Sequence, residues 1–177
     1  FVVSSLDEAR TALEQLGGFF VVKADGLAGG KGVKVSQEHL HGIDDALEFC
    51  SYLLASSSKP FVIEEKLYGE EFSLMTVTYD GDTGPNTGRM GSYTCADGSL
   101  PFLTGEDIAQ AQKCNETVVK ELSELCNEPY RGILYGGFMA VESGVKIIEY
   151  NARFGDPEAM NLLTLLESDA GELFYAA

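Results

Sequence analysis

Lys23-Ala24-Asp25-Gly26-Leu27-Ala28-Gly29-Gly30-Lys31-Gly32 is the stretch on which the fold turns. Phe19–Ala24 before it is apolar and β-branched, and Val33-Lys34-Val35 after it alternates, so two strands enclose a glycine-rich connection. Four glycines between Asp25 and Gly32 predict a hairpin tip whose backbone can turn sharply and bring N–H groups close to phosphate oxygens. Lys23 and Lys31 place an ammonium on either side of that turn. The stretch is not a Walker A loop: Asp25 stands where that motif needs its first Gly, and Gly32 where Ser or Thr would hold magnesium. Nor is it a dinucleotide fingerprint, since it joins two strands rather than a strand and a helix.

Outward from the hairpin, Ser5-x-x-Glu8 reads as a capping box ahead of Leu6, Ala9, Leu13 and Leu16 at helical spacing, with Gly17-Gly18 as the stop. Ile43, Ala46, Leu47, Cys50, Leu53 and Leu54 mark a second amphipathic helix, closed by a polar break at Ser56–Ser58. Phe61–Lys66 and Glu71–Tyr79 read as strands. Asp80–Gly91, rich in Gly, Pro and Asn, reads as an extended loop. Thr104-x-x-Asp107 caps a long helix, Ile133–Val141 and Val145–Tyr150 form a hairpin, and Pro157-Glu158 opens a last helical stretch. The expected organisation is α+β in two lobes, a small hairpin lobe over residues 1–60 and a larger one with a mixed sheet over 61–177. A cleft between lobes is the natural ligand site.

Composition narrows the function classes. Of 177 residues, 45% are hydrophobic, enough for a sizeable core and against disorder. The formal net charge of −16 argues against non-specific nucleic-acid binding. It also means that any phosphate substrate must meet a local group of Lys, Arg or backbone N–H. No apolar run approaches the ~20 residues of a membrane span, and Phe1–Ser5 lack a signal peptide's pattern. Cys50, Cys95, Cys114 and Cys126 show no zinc-ligand spacing with His39 and His41, so free thiols of a reducing cytoplasm are expected.

Three further stretches carry chemistry. In Val62-Ile63-Glu64-Glu65-Lys66-Leu67-Tyr68-Gly69-Glu70-Glu71, a strand end leaving its sheet exposes a C=O and an N–H that match adenine's amino group and ring nitrogen. A carboxylate a few residues on can accept ribose hydroxyls. Asp82-Thr83-Gly84-Pro85-Asn86-Thr87-Gly88 suits a compact polar substrate, although alone it is an ordinary turn. In Val145–Glu158, Glu149 and Asn151 lie two apart at a strand end and face one side. Carboxylate and amide oxygens are hard ligands suited to Mg²⁺ held with nucleotide phosphates. Arg153 falls on the same alternation if the strand persists, where it could stabilise a transferring phosphoryl group.

Taken together, these strings resemble phosphoribosylamine–glycine ligases of the ATP-grasp superfamily. The resemblance rests on Val22–Ala28, Gly30–Val33, Gly84–Gly88, Gly132–Phe138 and Glu149–Glu158, in the family's order and over most of the chain. Leu100–Thr104 and Ala159-Met160-Asn161 lean toward archaeal members. The resemblance implies an ATP-grasp fold, two α+β lobes with the nucleotide in the cleft between them. It implies a cytoplasmic enzyme of purine biosynthesis that uses ATP, with Mg²⁺ or Mn²⁺, to join glycine to 5-phosphoribosylamine. Lys23, Gly29, Gly30, Lys31 and Gly32 would cradle the phosphates. Glu64, the carbonyl of Glu65 and the N–H of Leu67 would recognise adenine, and Glu71 the ribose. Glu149 and Asn151 would bind the metal, Arg153 would serve catalysis, and Asp82, Asn86, Thr87 and Asp156 would face the substrates.

The chain departs from the family's pattern at three places. The family's segment with a basic Asp-His-Lys-Arg string is not found between Thr78 and Asp82 of this sequence, Arg89 stands where the family has glycine, and the family's amino- and carboxy-terminal domains, outside this stretch, are expected to pack against this core. Two readings therefore stay open beside the first: a nucleotide-binding ATP-grasp fragment without ligase activity, and a carboxylate–amine ligase with another acceptor. Neither a nucleic-acid nor a membrane partner is expected.

Overall fold

The computed structural model describes residues 1–26, 32–57, 59–79, 82–90, 100–156 and 158–176, with backbone alone for 77–79, 82–90 and 176. The chain divides into two compact units, Phe1–Leu67 and Tyr68–Ala177. The division falls at residue 67 rather than at 60, because the strand that follows Pro60 hydrogen-bonds into the first sheet.

In the first unit the elements run β1 (Val2–Val3), α1 (Leu6–Leu16), β2 (Phe20–Ala24), β3 (Val33–Val35), α2 (Ile43–Ser57) and β4 (Phe61–Glu65). The sheet order is β1-β4-β2-β3, every neighbouring pair antiparallel. Ala9, Leu13, Ala46, Phe49, Cys50 and Leu53 from the helices close over Phe20, Val22, Phe61 and Ile63 from alternate strand positions. Ser5 caps α1 by accepting from the Glu8 N–H, but the Glu8 carboxylate reaches the Ser4 N–H and hydroxyl instead of returning to Ser5. The expected capping box is therefore half formed. Gly17 ends α1 at φ 67°, a conformation open to glycine at little cost. α2 runs into the expected break as far as Ser57, because the Ser56 and Ser57 hydroxyls turn back onto the Leu53 carbonyl.

The second unit contains β5 (Glu70–Tyr79), β6 (Asp82–Met90), α3 (Gly105–Cys126), β7 (Gly132–Val141), β8 (Gly144–Asn151), α4 (Glu158–Thr164) and α5 (Ala170–Ala176). Its sheet, β6-β5-β7-β8, is antiparallel throughout and not mixed. Two hairpins meet at β5 and β7, which leaves no parallel pair to form. The expected loop at 82–90 is an edge strand. Pro85, lacking an N–H, falls where the pairing slips between Thr76↔Asn86 and Thr78↔Thr83. An edge strand with an irregular register tolerates such a residue, so the composition that reads as a loop is compatible with a strand here. α3 covers one sheet face through Phe72, Leu74, Ala111 and Phe138. The opposite face packs Met75 against Leu162 of α4. No described helix is long and apolar enough to cross a membrane.

Candidate functional site

The first unit contributes the hairpin of β2 and β3 together with the end of β4. The hairpin is closed by Ala24 N–H donating to the Gly32 carbonyl at 2.8 Å, and Gly29, Gly30 and Lys31 lie outside the described residues. Lys23 pairs with Glu64 across β2 and β4, from the register in which Val21 faces Glu64 and Lys23 faces Val62. Sequence spacing of 41 positions does not reveal that pair; the antiparallel register makes it. β4 stops at Glu65, and Lys66 returns once to the sheet through its N–H on the Phe19 carbonyl at 3.1 Å. Among the described hydrogen bonds none engages the Leu67 N–H. The strand thus leaves its sheet at the residues expected to meet a nucleobase.

The second unit gathers its chemistry on the sheet face away from α3. Register fixes membership: Ser73 faces Gly137, Met75 faces Tyr135, Tyr135 faces Asn151 and Gly137 faces Glu149. Partners directly opposite share a face, and so do alternate residues along a strand. Glu71, Ser73, Tyr135, Glu149 and Asn151 therefore project to one side. A bulge at Ile148 makes this possible, since Phe138 faces Ile147 while Gly137 faces Glu149. Gly137 supplies room: a Cβ there would come within 3.3 Å of Glu149 Cγ, so any side chain would crowd the carboxylate.

Glu149 and Asn151 meet as expected from their spacing, with Asn151 Nδ2 donating to Glu149 Oε1 at 2.9 Å. Rotating the Asn151 amide brings its oxygen beside the carboxylate, a hard two-oxygen set that fits Mg²⁺ carried in with a polyphosphate and waters. No cluster of three or more His, Cys, Asp or Glu suited to a metal occurs among the described residues. The pair thus fits a cation that brings its own oxygen ligands, not a closed all-protein cage. Arg153 does not continue the alternation, because β8 ends at Asn151 and the chain bends. Its Nη1 donates to the Phe154 carbonyl at 2.8 Å instead. Asp156 is exposed in the turn before α4. The strand that carries Asp82, Asn86 and Thr87 pairs with β5, and their side chains lie outside the described set.

Ser73 and Tyr135 on this face, with Glu158 at the start of α4, escape a sequence reading. Tyr135 donates to Glu158 Oε1 at 3.0 Å and accepts from the Ser73 hydroxyl. Burial raises the Tyr135 phenol above its ordinary value; the Ser73 bond opposes this, while Glu158 and Glu149 add to it. The one available signal was period two: Tyr135 and Gly137 share a parity, as do Ser73 and Glu71. Only the β5–β7 register brings the two pairs together.

The family model for the ATP-grasp (A) domain of phosphoribosylglycinamide synthetase matches residues 1–80 and 76–159. The two matched stretches overlap at residues 76–80, which include the end of β5. A phosphoribosylamine–glycine ligase of Methanosarcina barkeri is 45% identical over 185 residues, covering 95% of this chain and 42% of the relative. One of Methanopyrus kandleri is 41% identical over 183 residues, covering 92% of this chain and 41% of the relative. The crystal structure of phosphoribosylamine–glycine ligase from Thermotoga maritima matches with a TM-score of 0.69 at 31% identity, over 93% of this chain and 45% of that one. Biotin carboxylase from Campylobacter jejuni matches at 0.73 with 13% identity, over 99% of this chain and 40% of that one, a likeness of fold alone. The chain thus spans less than half the length of each of these four proteins.

Proposed function

The chain belongs to the family of phosphoribosylglycinamide synthetase ATP-grasp (A) domains, and from that premise we propose that it is the catalytic core of an ATP-dependent phosphoribosylamine–glycine ligase acting in purine biosynthesis in the cytoplasm. The observation that carries this reading is the side-by-side placement of Glu149 and Asn151 over the space left by Gly137.

A carboxylate is a poor acyl donor, so glycine must first acquire a leaving group. The glycine carboxylate attacks the γ-phosphate of ATP, releasing ADP and forming glycyl phosphate. The amine of 5-phosphoribosylamine then attacks the carbonyl carbon, the bond to the phosphate oxygen breaks, and glycinamide ribonucleotide leaves with inorganic phosphate. The protein's task is to position, neutralise charge and exclude water. Lys23 neutralises phosphate charge, and its ion pair with Glu64 holds the ammonium in place between turnovers. Gly29, Gly30, Lys31 and Gly32 take the phosphates from the hairpin. The Glu65 carbonyl and Leu67 N–H meet adenine beside Glu64, and Glu71 accepts the ribose hydroxyls. Glu149 and Asn151 hold Mg²⁺ or Mn²⁺, which when bound offsets polyphosphate charge. Arg153 swings from the Phe154 carbonyl to the transferring phosphoryl group, and Asp82, Asn86, Thr87 and Asp156 contact glycine and phosphoribosylamine. The domains that relatives carry beyond the matched span complete the acceptor's site.

The test is ADP release by the full-length protein supplied with Mg–ATP. Release should require glycine and phosphoribosylamine together, and Glu149→Ala should lower kcat on the order of 100-fold, the scale of one lost electrostatic stabiliser. Nucleotide binding without phosphate release in the presence of both substrates would leave a binding module. Release with a different amine in place of phosphoribosylamine would reassign the acceptor.

A further inference from the structure

Tyr135 sits where both ends of the 151–158 connection reach the sheet. Across β7 and β8 it faces Asn151, the last residue of the strand. Through its hydroxyl it donates to Glu158 Oε1, on the first residue of α4, at 3.0 Å. The same oxygen accepts from Ser73, whose side chain is 2% exposed on β5. Gly155 is enclosed by this arrangement: a Cβ there would lie within 2.6 Å of both Glu158 Oε2 and Tyr135 Cε2. Phe154 and Tyr135 both pack against Met75 and Leu162.

These contacts have one geometric consequence. β8 ends at Asn151, so nothing in the sheet's ladder orders Ala152–Asp156. The Ser73–Tyr135–Glu158 chain of hydrogen bonds crosses from a buried strand to the far end of that connection. A hydroxyl-to-carboxylate bond is directional, and at 3.0 Å this one ties the far end of the connection to the sheet at a defined angle rather than merely filling space. We propose that Tyr135 is a positioning residue: Ser73, Tyr135 and Glu158 form a brace that holds the connection after Asn151 against the sheet and so fixes Glu149 and Asn151 for a metal–nucleotide ligand. The proposal rests on the reading of that pair as metal-holding.

The experiment uses the full-length protein and three variants, Tyr135→Phe, Glu158→Ala and Glu158→Gln. Amide hydrogen exchange of residues 152–156 is read without ligand, and Mn²⁺ binding is read by titration in the presence of ADP. Tyr135→Phe keeps the ring and its packing, so the exchange pattern of β5 and β7 stays as in the parent and reports an intact fold. Exchange at 152–156 should accelerate, and the Kd for Mn²⁺ should rise at least about fivefold, the factor of one lost hydrogen bond of typical net strength. Glu158→Ala should reproduce both changes. Glu158→Gln retains an acceptor oxygen and should restore both to the parent's values. Unchanged exchange and Kd in Tyr135→Phe would overturn the brace. So would a Glu158→Gln variant as impaired as Glu158→Ala, since Glu158 would then act by its charge. If the parent fails to release ADP with glycine and phosphoribosylamine while these shifts appear, the ligase reading falls and the brace stands.

Discussion

At the scale of single residues, burial decides reactivity more than type does. Cys50, on α2, is fully buried in the first unit's core, and desolvation pushes its thiol up to about 11. Cys126 is exposed at the end of α3. A maleimide added to native protein should modify Cys126 within minutes and leave Cys50 intact until denaturant is added. Mass spectrometry of the peptides checks this, and native labelling at Cys50 would contradict the packing. Glu149 and Asn151 were legible in the sequence because their juxtaposition depends only on local alternation. Arg153 was not, because its side chain follows a bend that begins as soon as the strand ends. Lys23 with Glu64, and Ser73 with Tyr135, were hidden for another reason: each pair is made by a register between strands distant in sequence.

At the scale of elements, the start of α3 gives a pH-dependent prediction. Thr104 donates through its hydroxyl and backbone N–H to Asp107 Oδ2 at 2.7 and 2.8 Å, and accepts in return from the Asp107 N–H at 3.2 Å. Those bonds, the hydroxyl's first, hold the Asp107 carboxyl below its usual 3.8. A depressed folded value stabilises above the unfolded value and loses that contribution as pH falls through the lower, folded one. Thr104→Ala should therefore cost about 1 kcal/mol at pH 7, and less below the carboxylate range. Denaturant melts of parent and variant across that range measure it, and a cost that grows as pH falls would reverse the sign. The same cap was legible as Thr104-x-x-Asp107, since a cap is local. β6 was not legible: Gly84, Pro85 and Gly88 favour a loop by themselves, and hydrogen bonds from β5 override that preference at a sheet edge.

For the whole molecule, charge and core pull in different directions. The net charge is −16, and the described ion pairs are Lys23–Glu64, Lys66–Glu38 and Lys120–Glu124. With 28 acidic residues against 12 Lys and Arg, most carboxylates have no cation to pair with one to one, and their mutual repulsion opposes compactness. Raising NaCl from about 10 mM to about 200 mM shortens the screening length from roughly 30 Å to under 10 Å. The melting midpoint should rise over that interval, as read by circular dichroism. A midpoint that falls would mean that attractive pairs dominate. Each core closes within its own unit, with Val3 to Ile63 in one and Phe72 to Leu162 in the other. That separation sets the unit boundary at residue 67, beyond the position that composition alone suggests.

The sequence by itself determined what depends on neighbours along the chain: the glycine hairpin with Lys23 at its base, the helix periods and caps, and the acid–amide pair at the end of β8. Those features are short-range, and alternation or capping chemistry reads them directly. Only the tertiary structure decided which strands pair and in what register. That choice made residues 82–90 an edge strand, joined Lys23 to Glu64, and drew Tyr135 and Glu158 together around Gly155. The physical reason is that pairing energy is shared across a sheet, so no single segment carries enough information to specify its partner.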